Sequence, residues 1–109
     1  MPLPETVRIL SAAAEPSRLR ILAALRGRRL CVCELCAALG LKQSVMSQHL
    51  RVLRGAGLVE PDRRGYFVHY RLSQGAAERC EMAMRRLFER RNGERPCAAG
   101  RRNAQGRKT

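Results

Sequence analysis

Three cysteines lie close together in the chain, as Cys31, Cys33 and Cys36 of the run Cys-Val-Cys-Glu-Leu-Cys. The thiolate form of cysteine is the one that binds metal ions, and sulfur prefers soft, thiophilic ions. A structural zinc site needs four ligands and commonly uses paired cysteines, whereas no histidine lies near these three thiols in the sequence. Three soft ligands suit a pyramidal ion such as As(III) or Sb(III), whose lone pair fills the remaining direction. We therefore predict a three-thiolate site for arsenite or antimonite.

The spacing of these thiols limits how they can meet. On an unbroken helix Cys33 and Cys36 share a face, and Cys31 points away from both. The three sulfurs can gather only if the helix begins near Cys33 or distorts there, so a bound ion would reshape the helix. Two other interpretations stay open, a redox switch through a disulfide and a set of small core residues. Cys80 is expected to be a core residue, and Cys97 a bystander or an accessory thiol.

Length and charge restrict the class of protein. The 109 residues fit one domain, and 22 Lys and Arg against 9 Asp and Glu give a net charge of +13, which favours a polyanionic partner. No apolar run approaches the ~18 residues of a membrane span, and the start of the chain lacks signal-peptide features, so we expect a cytoplasmic location. Because aromatic residues are only 4%, duplex DNA is favoured over single strands. The sequence shows neither a nucleophile next to a base nor paired carboxylates, so we do not expect an enzyme.

The hydrophobic periodicity predicts a mainly helical winged helix-turn-helix fold with a small β-hairpin. A short turn at Gly40-Leu41 separates the third and fourth helices, as in a helix-turn-helix. We expect one domain over residues 1–91 and a basic, disordered tail over residues 92–109. The predicted elements, in chain order, are helices over Pro4–Ala13, from Pro16 to the stop at Gly27, over Leu30–Leu39 and over Lys42–Gly55, strands over Leu58–Glu60 and Phe67–Leu72 around a turn at Asp62–Gly65, and a fifth helix over Ser73–Arg91.

Two of these helices have clear apolar faces. The second helix, with Leu19, Ile21, Leu22 and Leu25, is expected to be the central core helix. In the fourth helix Met46, Leu50 and Leu53 fall in one sector and are expected to pack inward.

The other face of the fourth helix carries hydroxyl, amide and guanidinium groups, which can read bases in a major groove. The hairpin adds two arginines that could reach phosphates. An ordinary solvated helix face, or an architectural protein that binds duplex DNA through charge alone, would show a similar pattern. The predicted DNA-binding residues are Lys42, Gln43, Ser44, Ser47, Gln48, His49 and Arg51 on the helix and Arg63 and Arg64 in the hairpin.

Together these segments resemble the ArsR/SmtB family of metalloregulatory repressors, over about Ala14 to Leu72. Ala14–Leu22 is similar to the opening core helix of the family, and Met46–Arg54 followed by Ala56–Val59 is similar to its recognition helix and the entry to the wing. Leu30–Cys36 looks like the arsenic-site helix of the arsenical-resistance repressors within that family.

The resemblance implies a homodimer, bound to a partly palindromic operator and released from it by As(III) or Sb(III). No cysteine precedes Cys31 to give a fourth thiolate, and no histidine lies on the fifth helix, as related zinc sensors would require. The resemblance implies that the first and last helices join the subunits, and the apolar stripes of these helices supply the predicted interface residues Val7, Leu10, Cys80, Met84, Leu87 and Phe88.

Overall fold

A computed structural model describes residues 3–89 of the chain. The predicted tail over residues 92–109, Cys97 within it, and the predicted end of the fifth helix at Arg91 lie outside the described residues. No helix within residues 3–89 is both long enough and apolar enough to cross a membrane.

Within the described residues the fold is mainly helical and has one small antiparallel sheet of three strands in the order β1-β3-β2. The predicted winged helix-turn-helix is confirmed, with one strand more than predicted. The elements, in chain order, are α1 (Leu3–Ala13), α2 (Pro16–Ala24), β1 (Leu30–Cys31), α3 (Val32–Leu39), α4 (Gln43–Gly55), β2 (Val59–Arg64), β3 (Phe67–Leu72) and α5 (Ala76–Phe88).

The third helix begins later than predicted. Leu30 and Cys31, which were expected to be helical, form β1 and pair with Tyr70 and His69 of β3. Cys31 is the N-cap of α3 with extended backbone angles, φ −81° and ψ 169°. Its backbone N–H donates to the Glu34 carboxylate at 2.9 Å, so this otherwise unpaired donor at the helix start has a partner. The pairing of β1 with β3 and this cap together determine where α3 begins.

The turn of the wing is tighter than predicted. Asp62, Arg63 and Arg64 lie in β2 and not in a loop, because the pairing of β2 with β3 continues to Arg64 opposite Phe67. Only two residues connect the strands, and the first of them, Gly65, has φ 67°. Two-residue hairpins favour glycine there, since side chains other than glycine rarely adopt positive φ.

The last helix also begins later than predicted. Gly75 has φ 83°, in the left-handed region, so the chain cannot be helical through it from Ser73. Helix α5 therefore begins at Ala76, and it packs against α1.

The core follows the predicted faces with one exception. Met46, Leu50 and Leu53 of α4 are at most 2% exposed, as predicted, and Ile21 of α2 is fully buried. Leu19 is 54% exposed, so the prediction that it belongs to the core was wrong. Helix α2 packs against α1, α3 and α4, and the side that carries Leu19 is left open to solvent.

We expect Leu25→Ala, at the C-cap of α2, to lower the free energy of unfolding by about 2–5 kcal/mol, since it removes a side chain that is 1% exposed. Leu19→Ala on the same helix should change it by about 0.5 kcal/mol or less. Urea unfolding at a fixed protein concentration measures both. Equal losses in the two variants would contradict the packing described.

The cap of α3 predicts a dependence on pH. Hydrogen bonds from the backbone N–H of Cys31 and then from its thiol hold the pKa of Glu34 below its ordinary value of 4.5. A carboxyl whose pKa is lowered by folding stabilises the fold above its unfolded pKa, and this contribution is lost as the pH falls through the folded pKa. Glu34→Gln should therefore be less stable than the parent at neutral pH. The difference should shrink as the pH falls below about 4.5, because Glu34 then takes up a proton and becomes neutral, as Gln is at every pH.

Urea unfolding of the parent and of Glu34→Gln, from neutral pH down to about pH 3, measures this difference. A difference that stays constant across the range would show that the charge of Glu34 does not act at the cap.

Candidate functional site

The three clustered cysteines lie where the sheet meets α3. Cys31 ends β1 and caps the helix, Cys33 is exposed in the first turn, and Cys36 is half-buried against the core. All three are free thiols. The condition for gathering three sulfurs was a helix that begins near Cys33, and α3 begins at Val32. Cys31 therefore lies outside the helix, as that condition requires.

The thiols are not already gathered into a metal-binding arrangement. Within the described part of the chain, no three His, Cys, Asp or Glu side chains form a group that could hold a metal ion. Three thiols are nevertheless suitable ligands for a thiophilic ion, because sulfur is a soft donor. Binding to all three would require the first turn of α3 to close around the ion.

The backbone of Cys36 connects this cluster to the following helix. Its carbonyl accepts the N–H of Gly40 at 2.8 Å and that of Leu41 at 3.2 Å, the two residues that lead from α3 towards α4. Gly40 has φ 70° and is the C-cap of α3, and α3 packs on α4. A displacement of Cys36 would therefore move the turn that positions α4.

A histidine lies directly opposite the first cysteine. The register pairs Cys31 with His69 of β3 and His69 with Asp62 of β2, so these three residues form one row across the sheet. Residues paired in this way project from the same face. The Nδ1 atom of His69 is buried and has no hydrogen-bond partner among the described residues.

Sequence reasoning missed this neighbour, because it considered only histidines close to Cys31 along the chain. The alternation of Phe67–Leu72 could have placed His69 on the polar face of its strand. The pairing itself depends on β1, which the sequence did not predict.

Asp62, at the other end of the row, contacts two arginines, one in the wing and one just before β1. Arg64 and Arg29 each contact its carboxylate at 3.3 Å. The hydrogen bond from Arg64, and then that from Arg29, keeps the pKa of Asp62 below its ordinary value. These contacts tie the wing to the segment that precedes β1.

The outward face of α4 is arranged as predicted. Lys42 is the N-cap of the helix, and its neighbours on this face point away from the core. Arg51 donates to the Gln48 side chain at 3.3 Å, which aligns two groups able to contact bases. The exposed side chains among those predicted to bind DNA on this helix are Lys42, Gln43, Ser44, Ser47, Gln48 and Arg51.

His49, the remaining predicted residue of α4, is half-buried and contacts another helix. Its Nδ1 atom lies 3.2 Å from the guanidinium of Arg18 in α2. The same guanidinium donates to the carbonyls of Ala12 at 2.6 Å and Ser11 at 3.2 Å, at the end of α1. One side chain thus connects α1 with α4, which the sequence did not indicate.

The wing presents basic and aromatic side chains. Arg63 and Arg64 are exposed and point to opposite faces of β2, because strand side chains alternate. Tyr66, at the tip, is fully exposed, and Phe67 beside it is 67% exposed.

The predicted interface residues divide into two sets. Leu10 and Cys80 pack partly against the core, and burial raises the pKa of the Cys80 thiol. The other predicted residues are large apolar side chains that remain at least 49% exposed on α1 and α5. These are Val7, Met84, Leu87 and Phe88.

Comparison of this chain with known proteins identifies relatives. The family model described as "Bacterial regulatory protein, arsR family" matches residues 15–61. The chain is 44% identical over 69 residues to the transcriptional repressor SmtB homolog of Synechocystis sp., covering 63% of this chain and 52% of that protein. It is 41% identical over 68 residues to the arsenical resistance operon repressor of Escherichia coli, covering 62% of this chain and 58% of that protein. The chain thus spans a little over half the length of these two relatives.

A third relative is matched over most of its length. The transcriptional activator HlyU of Vibrio cholerae is 38% identical over 84 residues, which cover 77% of this chain and 78% of that protein.

Solved structures share the fold. Reduced HlyU from Vibrio cholerae has 38% sequence identity and a TM-score of 0.63, covering 80% of this chain and 92% of that one. The homodimeric winged helix-turn-helix DNA-binding domain of a possible ArsR-family transcriptional regulator from Mycobacterium bovis has 27% identity and a TM-score of 0.67, covering 84% of this chain and 90% of that one. The chain belongs to the arsR family of bacterial regulatory proteins, which are regulators and not enzymes.

Proposed function

We propose that this chain is a cytoplasmic, homodimeric repressor that binds operator DNA and is released by As(III) or Sb(III) bound to Cys31, Cys33 and Cys36. The observation that carries this proposal is the position of Cys31 at the cap of α3, next to the helix that presents the DNA-facing side chains. The relatives include both an arsenical resistance operon repressor and an SmtB homolog, so family membership does not identify the effector. The choice of As(III) or Sb(III) rests on the three thiols themselves.

Charge and shape support binding to duplex DNA. The net charge of +13 favours a polyanion because phosphate contacts release counterions. Helix α4 presents Ser47, Gln48 and Arg51 on one exposed face, and these groups can pair with base edges in the major groove. Arg63 and Arg64 of the wing would contact the backbone beside that groove. One similar solved domain is described as a DNA-binding domain of this kind.

Exposed apolar side chains support a dimer. Val7 of α1 and Met84, Leu87 and Phe88 of α5 leave large apolar surface in contact with water in a single chain. Contiguous surface of this kind commonly marks a protein interface. Since α1 and α5 pack together, these residues can meet the same pair of helices of a second copy. The similar domain from Mycobacterium bovis is described as homodimeric.

The chemistry of the thiols supports a trivalent metalloid. Arsenite can exchange its three hydroxyl groups for three cysteine sulfurs, with release of three water molecules and no change of oxidation state. The exposed Cys33 offers the first contact, and Cys31 and Cys36 are half-buried beside it. Closing the three sulfurs around one ion would pull Cys31 away from the cap and shift Cys36.

The shift of Cys36 explains how the effector would act on DNA binding. Its carbonyl holds the N–H groups of Gly40 and Leu41, so the turn between the helices follows its movement. Helix α4 would then present its outward face at a different angle to the groove. The effector and DNA thus favour different arrangements of the same pair of helices, which is the requirement for coupling between two sites.

We expect arsenite to weaken operator binding by about 5–150-fold, the usual range of such couplings. Cys33→Ser should bind the operator as the parent does and lose nearly all of this response, because Cys33 is exposed and its removal leaves the core intact. Ala37→Ser, at an exposed position of α3, is the matched control and should respond like the parent. Fluorescence anisotropy with a labelled operator, at fixed salt, measures the affinity.

Release of Cys33→Ser by arsenite to the same extent as the parent would refute the proposed effector site. If peroxide releases the parent, reductant restores binding and arsenite has no effect, the thiols form a redox switch instead. Equal affinity for operator and unrelated duplex would indicate an architectural protein that binds through charge alone.

The two kinds of DNA contact predict different losses. Gln48→Ala should reduce discrimination between operator and altered sites by about 1–3 kcal/mol, because it removes a base contact. Arg63→Ala should weaken binding to all sequences and reduce the slope of log affinity against log salt by about 1. Titrations at several salt concentrations on both kinds of duplex separate the effects, and each variant serves as the control for the other. The reverse pattern would contradict the assignment of α4 to the groove.

A further inference from the structure

An apolar side chain lies among the polar groups near the start of α4. Val45 is 40% exposed. Its neighbours on this surface include Ser44 and Gln48, which are also exposed, and Gln48 is three residues further along the helix and therefore adjacent. Single exposed apolar residues are common on protein surfaces, so the role of Val45 has to be argued from its position and its surroundings.

Val45 forms part of a shallow, open depression of about 420 Å³ on the surface of α4. The residues that line it are Ser44, Val45, Gln48 and His49. Two of these side chains are held in place. The Nδ1 atom of His49 lies 3.2 Å from the guanidinium of Arg18, and the amide oxygen of Gln48 accepts from Arg51 at 3.3 Å. Because these contacts restrict the walls, little side-chain freedom would be lost when a ligand enters the depression.

In the proposed complex with DNA, the depression lies at the end of α4 that meets the bases. Recognition helices contact base edges mainly with their N-terminal residues. Helix α4 begins at Gln43, so Val45 is in its first turn, next to the positive charge of Lys42 at the N-cap. The apolar side chains proposed to join two copies lie on α1 and α5, so that interface does not account for the exposure of Val45.

The major groove offers a specific apolar partner for such a side chain. Among the base edges exposed there, the C5-methyl group of thymine is the apolar one, and the other groups are hydrogen-bond donors and acceptors. Contact between two apolar groups removes both from water and is favourable. Contact of a valine with a donor or acceptor would instead separate that group from water without replacing its hydrogen bond. An exposed valine at this end of the helix therefore favours thymine over the other bases.

We propose that Val45 is a specificity-determining residue that contacts the C5-methyl group of one thymine in each half of the operator. This inference rests on the proposed function, because it requires α4 in the major groove of a specific duplex. Ser47, Gln48 and Arg51 read groups that form hydrogen bonds. Val45 reads the one group on these base edges that forms none.

The test replaces thymine by uracil, which keeps the same hydrogen-bonding groups and lacks only the methyl group. The probe is the duplex that the full chain selects most strongly from a pool of random sequences, with each symmetry-related pair of its thymines replaced in turn. Burial of one methyl group corresponds to about fourfold in affinity. For one pair of thymines, the parent should therefore bind the uracil duplex about 15-fold more weakly, since both halves of the operator lose the contact. Fluorescence anisotropy at fixed salt measures the affinities.

Val45→Ala should remove this discrimination. At the same pair of positions its affinities for the thymine and uracil duplexes should agree within about twofold, because the two changes remove the same contact. Val52→Ala is the matched control. Val52 is 41% exposed and lies on nearly the same side of α4, but it is about 10 Å further from the start of the helix. This variant should discriminate between the two duplexes as the parent does.

Equal binding of the parent to the thymine duplex and to every uracil duplex would overturn the inference. Discrimination that persists in Val45→Ala would also overturn it, because the methyl group would then contact another residue. The same holds if Val52→Ala loses discrimination to the same extent, which would indicate a general effect on α4. Failure of the proposed function is recognised separately, since the full chain would then select no preferred duplex or would stay bound to it when arsenite is added.

Discussion

The position of Cys31 between a strand and a helix is the constraint on which the rest of the structure depends. Its place opposite His69 fixes it in the sheet, and its backbone N–H, held by Glu34, fixes the first turn of α3. Without the strand, the helix would begin earlier and Cys31 would point away from the other two thiols. With it, one residue belongs to the wing sheet, to the helix-turn-helix and to the proposed effector site.

Much of the fold could be predicted because its signals are local. Gly40 marks the end of α3, and the sector of Met46, Leu50 and Leu53 identifies the buried face of α4. These features depend on residues a few positions apart, which periodicity detects. The exposed face of α4 could be predicted from the same helical periodicity.

The errors arose where distant segments meet. Strand β1 has two residues and no pattern of its own, and it exists because β3 pairs with it. The exposure of Leu19 depends on which helices surround α2, which its own sequence does not contain. For the same reason, His69 could not be recognised as a neighbour of Cys31. The thiol cluster was visible in the sequence, and its surroundings required the structure.

The guanidinium of Arg18 has a consequence for how such a protein can change. It binds carbonyls at the end of α1, where subunits are proposed to meet, and the His49 ring on the helix proposed to read DNA. Any adjustment in the way two copies associate would pass through this side chain to the orientation of α4. A change in the contact between two copies would therefore also change how α4 meets DNA.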